Sequence, residues 1–146
     1  MIQLVKSIVC DTVSLSEHGK YDCRGIYPRG ILFVADFLRP IHVSFYVEIV
    51  SEHVGPVAMQ FQIEDRALGR VYHNLSATLD LKGRQSDPIY GGPYPIHAFG
   101  PSTVVFSAIA GGQRVDLAWM YFNRLTDPSA LPPPSGLFPP GVPPIQ

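Results

Sequence analysis

The chain has 146 residues, enough for one domain with a sizeable core and too few for two. Hydrophobic residues make up 46% of it, which excludes a disordered chain. Eleven Lys and Arg against twelve Asp and Glu leave no basic stripe for neutralising phosphates, which excludes a nucleic-acid partner.

The N-terminal MIQLVKSIVCDTV is broken by Lys6, Ser7 and Asp11 and lacks the apolar stretch and cleavage site of a secretory signal. No window reaches the roughly 18 apolar residues that span a bilayer. Two cysteines are too few for a disulfide scaffold. The reading is a soluble cytoplasmic protein with no membrane partner and no cofactor. Residues 2–15 are apolar on both faces, as in a strand covered on two sides. Glu17-His18-Gly19 turns the chain, Lys20–Tyr27 returns, and a symmetric pairing puts Cys10 nearly opposite Cys23. Pro28-Arg29-Gly30 closes that hairpin.

After Ile31–Phe37 comes the clearest strand, with Ile41, Val43, Phe45, Val47 and Ile49 on one face. His42, Ser44, Tyr46 and Glu48 take the other, the period-2 pattern of a half-buried strand. Val57, Met59, Phe61 and Ile63 alternate in the same way. Asp65–Gly69 turns into a third such strand, whose apolar face carries Val71, His73, Leu75, Ala77, Leu79 and Leu81. Lys82–Pro101 holds four glycines and four prolines, which excludes a continuous central strand. It reads as a long connection with a stiff loop at Tyr90-Gly91-Gly92-Pro93-Tyr94-Pro95. Thr103–Ala110 and Gln113–Arg124 flank Gly111-Gly112, a type I′ hairpin signal, which sets Phe106 near Leu117 and Val104 near Trp119. Residues 127–146 contain 8 prolines and favour polyproline II.

Many short strands and no amphipathic helix predict an all-β fold: an antiparallel β-sandwich of immunoglobulin-like or C2-like architecture over residues 1–126, followed by a proline-rich tail over 127–146. Cys10-Asp11-Thr12-Val13, Gly19-Lys20-Tyr21, Gly25-Ile26-Tyr27 and the turn Asp65…Gly69-Arg70 resemble a family of small bacterial β-sandwich proteins of unknown function. The likeness runs through most of the predicted domain, and the tail departs from it. It implies the fold and a bacterial or phage origin, and it carries over no catalytic residue.

The chain has no P-loop, no dinucleotide-binding glycine fingerprint, no nucleophile elbow and no zinc spacing. His73 lies on an apolar strand face, where a hydrogen-bonded core histidine is the ordinary reading and a metal ligand or base the sharper one. With His97 it is the candidate for a metal site. Asp11, Asp22 and Asp116 lack the density of a calcium loop. Cys10 and Cys23 read as reduced thiols packed like small apolar side chains. Tyr90 and Tyr94, on their Gly/Pro frame, offer contact area at low entropic cost, with an end-capping loop as the alternative. In the tail, Leu137 and Phe138 offer apolar groups to a groove or a neighbouring subunit, with a plain terminal linker as the alternative.

The expected function is therefore a non-enzymatic binding or assembly module acting on a protein partner or on itself as a homo-oligomer. Two alternatives stay open. One is a small-ligand or metal-binding sandwich, hydrolytic in one form, with a site near His73, His97 and Tyr90. The other is a structural component of a phage or a bacterial multiprotein assembly.

Overall fold

Period-2 alternation becomes nine strands in two packed sheets in the computed structural model, which describes residues 2–125. They are β1 (Ile2–Leu15), β2 (Tyr21–Ile26), β3 (Ile31–Val34), β4 (Ile41–Ser51), β5 (Val54–Asp65), β6 (Arg70–Lys82), β7 (Ser86–Ile96), β8 (Ser102–Ala110) and β9 (Gln113–Arg124). One sheet runs β2-β1-β4-β7 and the other β3-β9-β8-β5-β6. The expected β-sandwich is what the chain forms. Its ladders are antiparallel except for the short parallel pair β3–β9. The tail over 127–146, with Leu137 and Phe138, lies outside the described residues.

The inner faces meet because each central strand turns one row of large apolar side chains inward. β4 contributes Val43, Phe45, Val47 and Ile49, all 1% exposed or less. Opposite them stand Met59, Phe61 and Ile63 of β5, Val104 and Phe106 of β8, and Met120 and Phe122 of β9. Three phenyl rings join the layers: Phe106 stacks on Phe45 at 4.6 Å between centroids and on Phe61 at 5.7 Å. Such pairs add to the burial of their area.

Three expectations are corrected. The segment read as a loop is the strand β7, at the edge of its sheet against β4. Pro88, Pro93 and Pro95 are tolerated there because an edge strand has backbone groups with no ladder partner to lose. Cys10 and Cys23 are out of register by three positions, since Cys10 faces Ile26 and Cys23 faces Val13. The strands pair symmetrically about His18, with Leu15 opposite Tyr21, and that register carries Cys10 past Cys23 to Ile26. In the β8–β9 hairpin a bulge beyond Phe106 shifts the pairing by one residue. Phe106 therefore faces Ala118, Val104 faces Met120, and Trp119 points outward with 37% of its surface exposed.

The Gly111-Gly112 turn forms as expected, both residues having positive φ. In the β5–β6 turn, buried Asp65 accepts a hydrogen bond from the Leu68 N–H at 3.1 Å. Arg66 of the same turn makes a two-pronged ion pair with Asp116 of β9. That pair ties the entrance of β6 to the outer face of its sheet.

Candidate functional site

β6 and β7 are edge strands of different sheets, and they run along the same side of the sandwich. Between them lies a cleft of about 330 Å³. Its floor is made by Phe45, Phe61 and Phe106. One lip is Leu75, Ala77 and Leu79 of β6, and the other is Pro88, Ile89, Tyr90, Gly91 and Tyr94 of β7. The local reason is alternation: the inward row of β6 has no strand of the facing sheet directly over it, so Leu75 and Leu79 remain half-buried.

The lining holds no carboxylate, imidazole, amine or guanidinium. Its polar groups are the Ser76 hydroxyl, the two phenols and the backbone. Burial pushes the Tyr94 phenol above its ordinary value, so it stays a neutral hydrogen-bonding group. A cleft with these walls can hold apolar matter and orient it by a few hydrogen bonds.

The two tyrosines named from the sequence divide between two surfaces. Tyr94 turns inward, stacks on Phe45 at 6.1 Å and fills space that a Cβ on Gly91 would take. Tyr90 is 46% exposed and packs outward on Tyr21 at 4.9 Å. Tyr21 in turn contacts Tyr46 at 5.0 Å, and the Tyr46 hydroxyl donates to Glu48 at 2.7 Å. Tyr90 is thus the rim of the cleft and one end of a tyrosine row on the outer face.

His73 and His97 stand near the cleft's end without meeting each other's partners. His73 Nε2 bonds the Pro95 carbonyl oxygen at 2.6 Å, and its ring lies 5.6 Å from Tyr94. His97 Nε2 bonds the Phe37 carbonyl oxygen at 3.2 Å while its ring stacks on Phe99 at 4.6 Å. The Arg70 guanidinium covers the same Phe99 ring at 4.5 Å. Among the described residues no three His, Cys, Asp or Glu side chains gather in a metal-binding group.

Asp11, Asp22 and Asp116 go to separate partners: the Tyr27 hydroxyl, Arg24 and Arg66. Cys10 is fully buried, and burial, with Cys23 nearby, pushes its thiol up to about 12. Burial raises the Cys23 thiol as well. Thiols held protonated in this way are poor nucleophiles.

A second groove, of about 280 Å³, lies on the opposite side between β1, the Tyr27–Gly30 turn and β9, lined in part by Tyr27, Arg29, Trp119 and Tyr121. Sequence reasoning found Tyr90 and Tyr94 but not the β6 lip. The available signal was negative: residues 70–82 contain no proline, whereas 86–96 contain three. A scan against protein-family models and a search of curated proteins return no match for the chain.

Proposed function

We infer that this chain is a non-enzymatic binding module whose working surface is the β6–β7 side of the sandwich, and that its partner is an extended protein segment. The observation that carries this reading is the pairing of an apolar, charge-free cleft with an edge strand directly beside it that, among the described residues, pairs on one side only. An extended segment satisfies both at once. Its backbone adds to the β6 ladder, and its alternate side chains reach the aromatic floor. A catalytic reading would have to rest on the Ser76 hydroxyl and the two phenols, and the lining supplies no carboxylate, imidazole or amine to activate them.

The test is selection from a displayed library of extended peptides, followed by amide chemical-shift mapping on the isotope-labelled chain. Selected peptides should move the amides of residues 71–79 and broaden the Tyr94 ring signals. No enrichment, or enrichment that leaves those amides unmoved, rejects the reading.

A second reading has one observation in its favour. The cleft volume falls within the range of small-molecule sites, and three phenyl rings form the floor. A small apolar ligand would then bind without engaging the strand edge. A thermal-shift screen of aromatic and aliphatic compounds distinguishes the two, because such a ligand raises the melting temperature and leaves the outward β6 amides unmoved.

A further inference from the structure

Three exposed aromatic rings line up on the side of the sandwich away from the β6–β7 cleft. Met120 and Phe122 of β9 are buried, so alternation turns Trp119 and Tyr121 outward, 37% and 40% exposed. The parallel β3–β9 register sets Phe33 beside Asn123 on that same outward face, and its ring is 45% exposed. The track runs back from the end of β9 into the second groove, where Tyr27 and Pro28 join the two β9 rings. Rings gathered in a row on an outer face are more than scattered surface hydrophobics, and they mark a contact surface.

The chain itself supplies a segment with the chemistry this track takes. Of residues 126–146, which follow Leu125, 8 are proline and only Asp127 is charged, so the segment can cover rings without burying a second charge. Aromatic-lined grooves receive proline-rich segments because polyproline II is ordered before it binds and offers prolyl rings and unpaired carbonyls. The Trp119 indole N–H and the Tyr121 hydroxyl are donors for such carbonyls.

Reach and direction match as well. Asp127-Pro128 has the residues that a type I turn favours at its first two positions, a signal for reversing the chain directly after β9. Trp119 is about 20 Å back along the strand from Leu125. A returning polyproline II segment rises about 3.1 Å per residue. With Pro132 level with Leu125, Pro134 comes to Phe33, Leu137 to Tyr121 and Phe138 to Trp119. Tethering gives the chain's own segment a roughly millimolar local concentration, which the segment of a second copy does not reach in dilute solution.

We propose that residues 131–140 of this chain fold back along β9 and lie on Phe33, Tyr121 and Trp119, so that the second groove receives the chain's own proline-rich segment. The inference is independent of the β6–β7 reading, which concerns the other side of the sandwich.

Trp119 is the chain's one tryptophan, so acrylamide quenching of the full chain's fluorescence reads the groove directly. Phe138→Asp, and separately Pro139→Gly combined with Pro140→Gly, should uncover the indole, raise its quenching constant about twofold and move its emission to longer wavelength. Ile145→Asp puts the same charge beyond the track and should leave both readings at the parent's values. These substitutions lie outside residues 2–125, so the sandwich keeps every residue of its core. Quenching that is equal in the parent, Phe138→Asp and the double glycine variant overturns the proposal, and so does an equal response to Ile145→Asp. Protection of Trp119 that is lost on dilution overturns it as well, because it assigns the segment to a second copy.

Discussion

β7 and β6 are both edge strands, of 11 and 13 residues, and each overhangs the same aromatic floor. β7 is punctuated by Pro88, Pro93 and Pro95, three positions with no N–H to offer a further strand, and by the adjacent Gly91 and Gly92. β6 has a bulge at Tyr72 and beyond it presents alternating donors and acceptors from His73 onward, with charges only towards its ends, at Arg70, Asp80 and Lys82. The difference teaches that burial alone does not identify a contact surface. The two lips are similarly half-exposed, and backbone chemistry separates the closed one from the open one.

Removing what the two lips share breaks the comparison most severely. Phe106→Ala takes away the ring on which both Phe45 and Phe61 stack and should cost about 3–5 kcal/mol in urea unfolding. A loss under about 1 kcal/mol would mean that the rings do not couple the sheets.

Proline scanning of β6 comes next. At positions whose N–H bonds β5, proline should cost about 3 kcal/mol. At the alternate positions the fold should survive while peptide binding disappears. If consecutive substitutions at Asn74, Leu75 and Ser76 give no alternation in melting temperature, β6 is not a one-sided edge.

A smaller effect concerns how β6 is anchored. Asp116→Asn breaks the pair with Arg66 in the turn that feeds β6 and should cost at most about 1 kcal/mol, because both side chains are substantially exposed. The hydrogen bonds from Arg66 hold the Asp116 carboxyl below the ordinary value of 3.8. A lowered folded value means the contribution is complete above about pH 4 and is lost as pH falls through that lowered value. The variant should therefore match the unsubstituted chain in strong acid and fall below it near neutrality. Melting curves across that range would show a constant gap if the pair has no role.

The smallest change in stability, within about 0.5 kcal/mol, is expected for the double substitution Pro88→Thr and Pro95→Thr on β7. Its informative readout is mass. Restoring two N–H groups to the closed lip should raise the mass above that of the parent chain, and light scattering would detect it.

The sequence carried the sandwich well where one face is buried. β5 and most of β6 alternate cleanly because each meets the core on one side. A bulge at Tyr72 turns Val71 outward and Tyr72 towards the core, against the alternation. β4 keeps its apolar row although Ser44 and Tyr46 on its other face are buried too, and Gly111-Gly112 fixed the last hairpin. β7 was hidden because prolines and glycines that read as a loop are also what an edge strand tolerates. The bulge after Phe106 leaves no residue signature, so the hairpin pattern pairs Val104 with Trp119, whereas Val104 faces Met120 and Trp119 lies outside. For the site, Tyr90 and Tyr94 were legible as aromatic groups on a stiff frame. Their partner lip was not, because β6 and β7 meet across two sheets and no local pattern records which strands end up on the same side.

The position of β9 has a consequence for presentation. β9 ends beside β3, where the Leu125 N–H bonds the Val34 carbonyl at 2.7 Å, and three strand spacings separate β9 from β6. The chain therefore leaves the described residues on the side of the sheet away from the β6–β7 cleft, roughly 14 Å across the sheet from β6, so a label attached at Leu125 would report on the sheet without crowding the cleft.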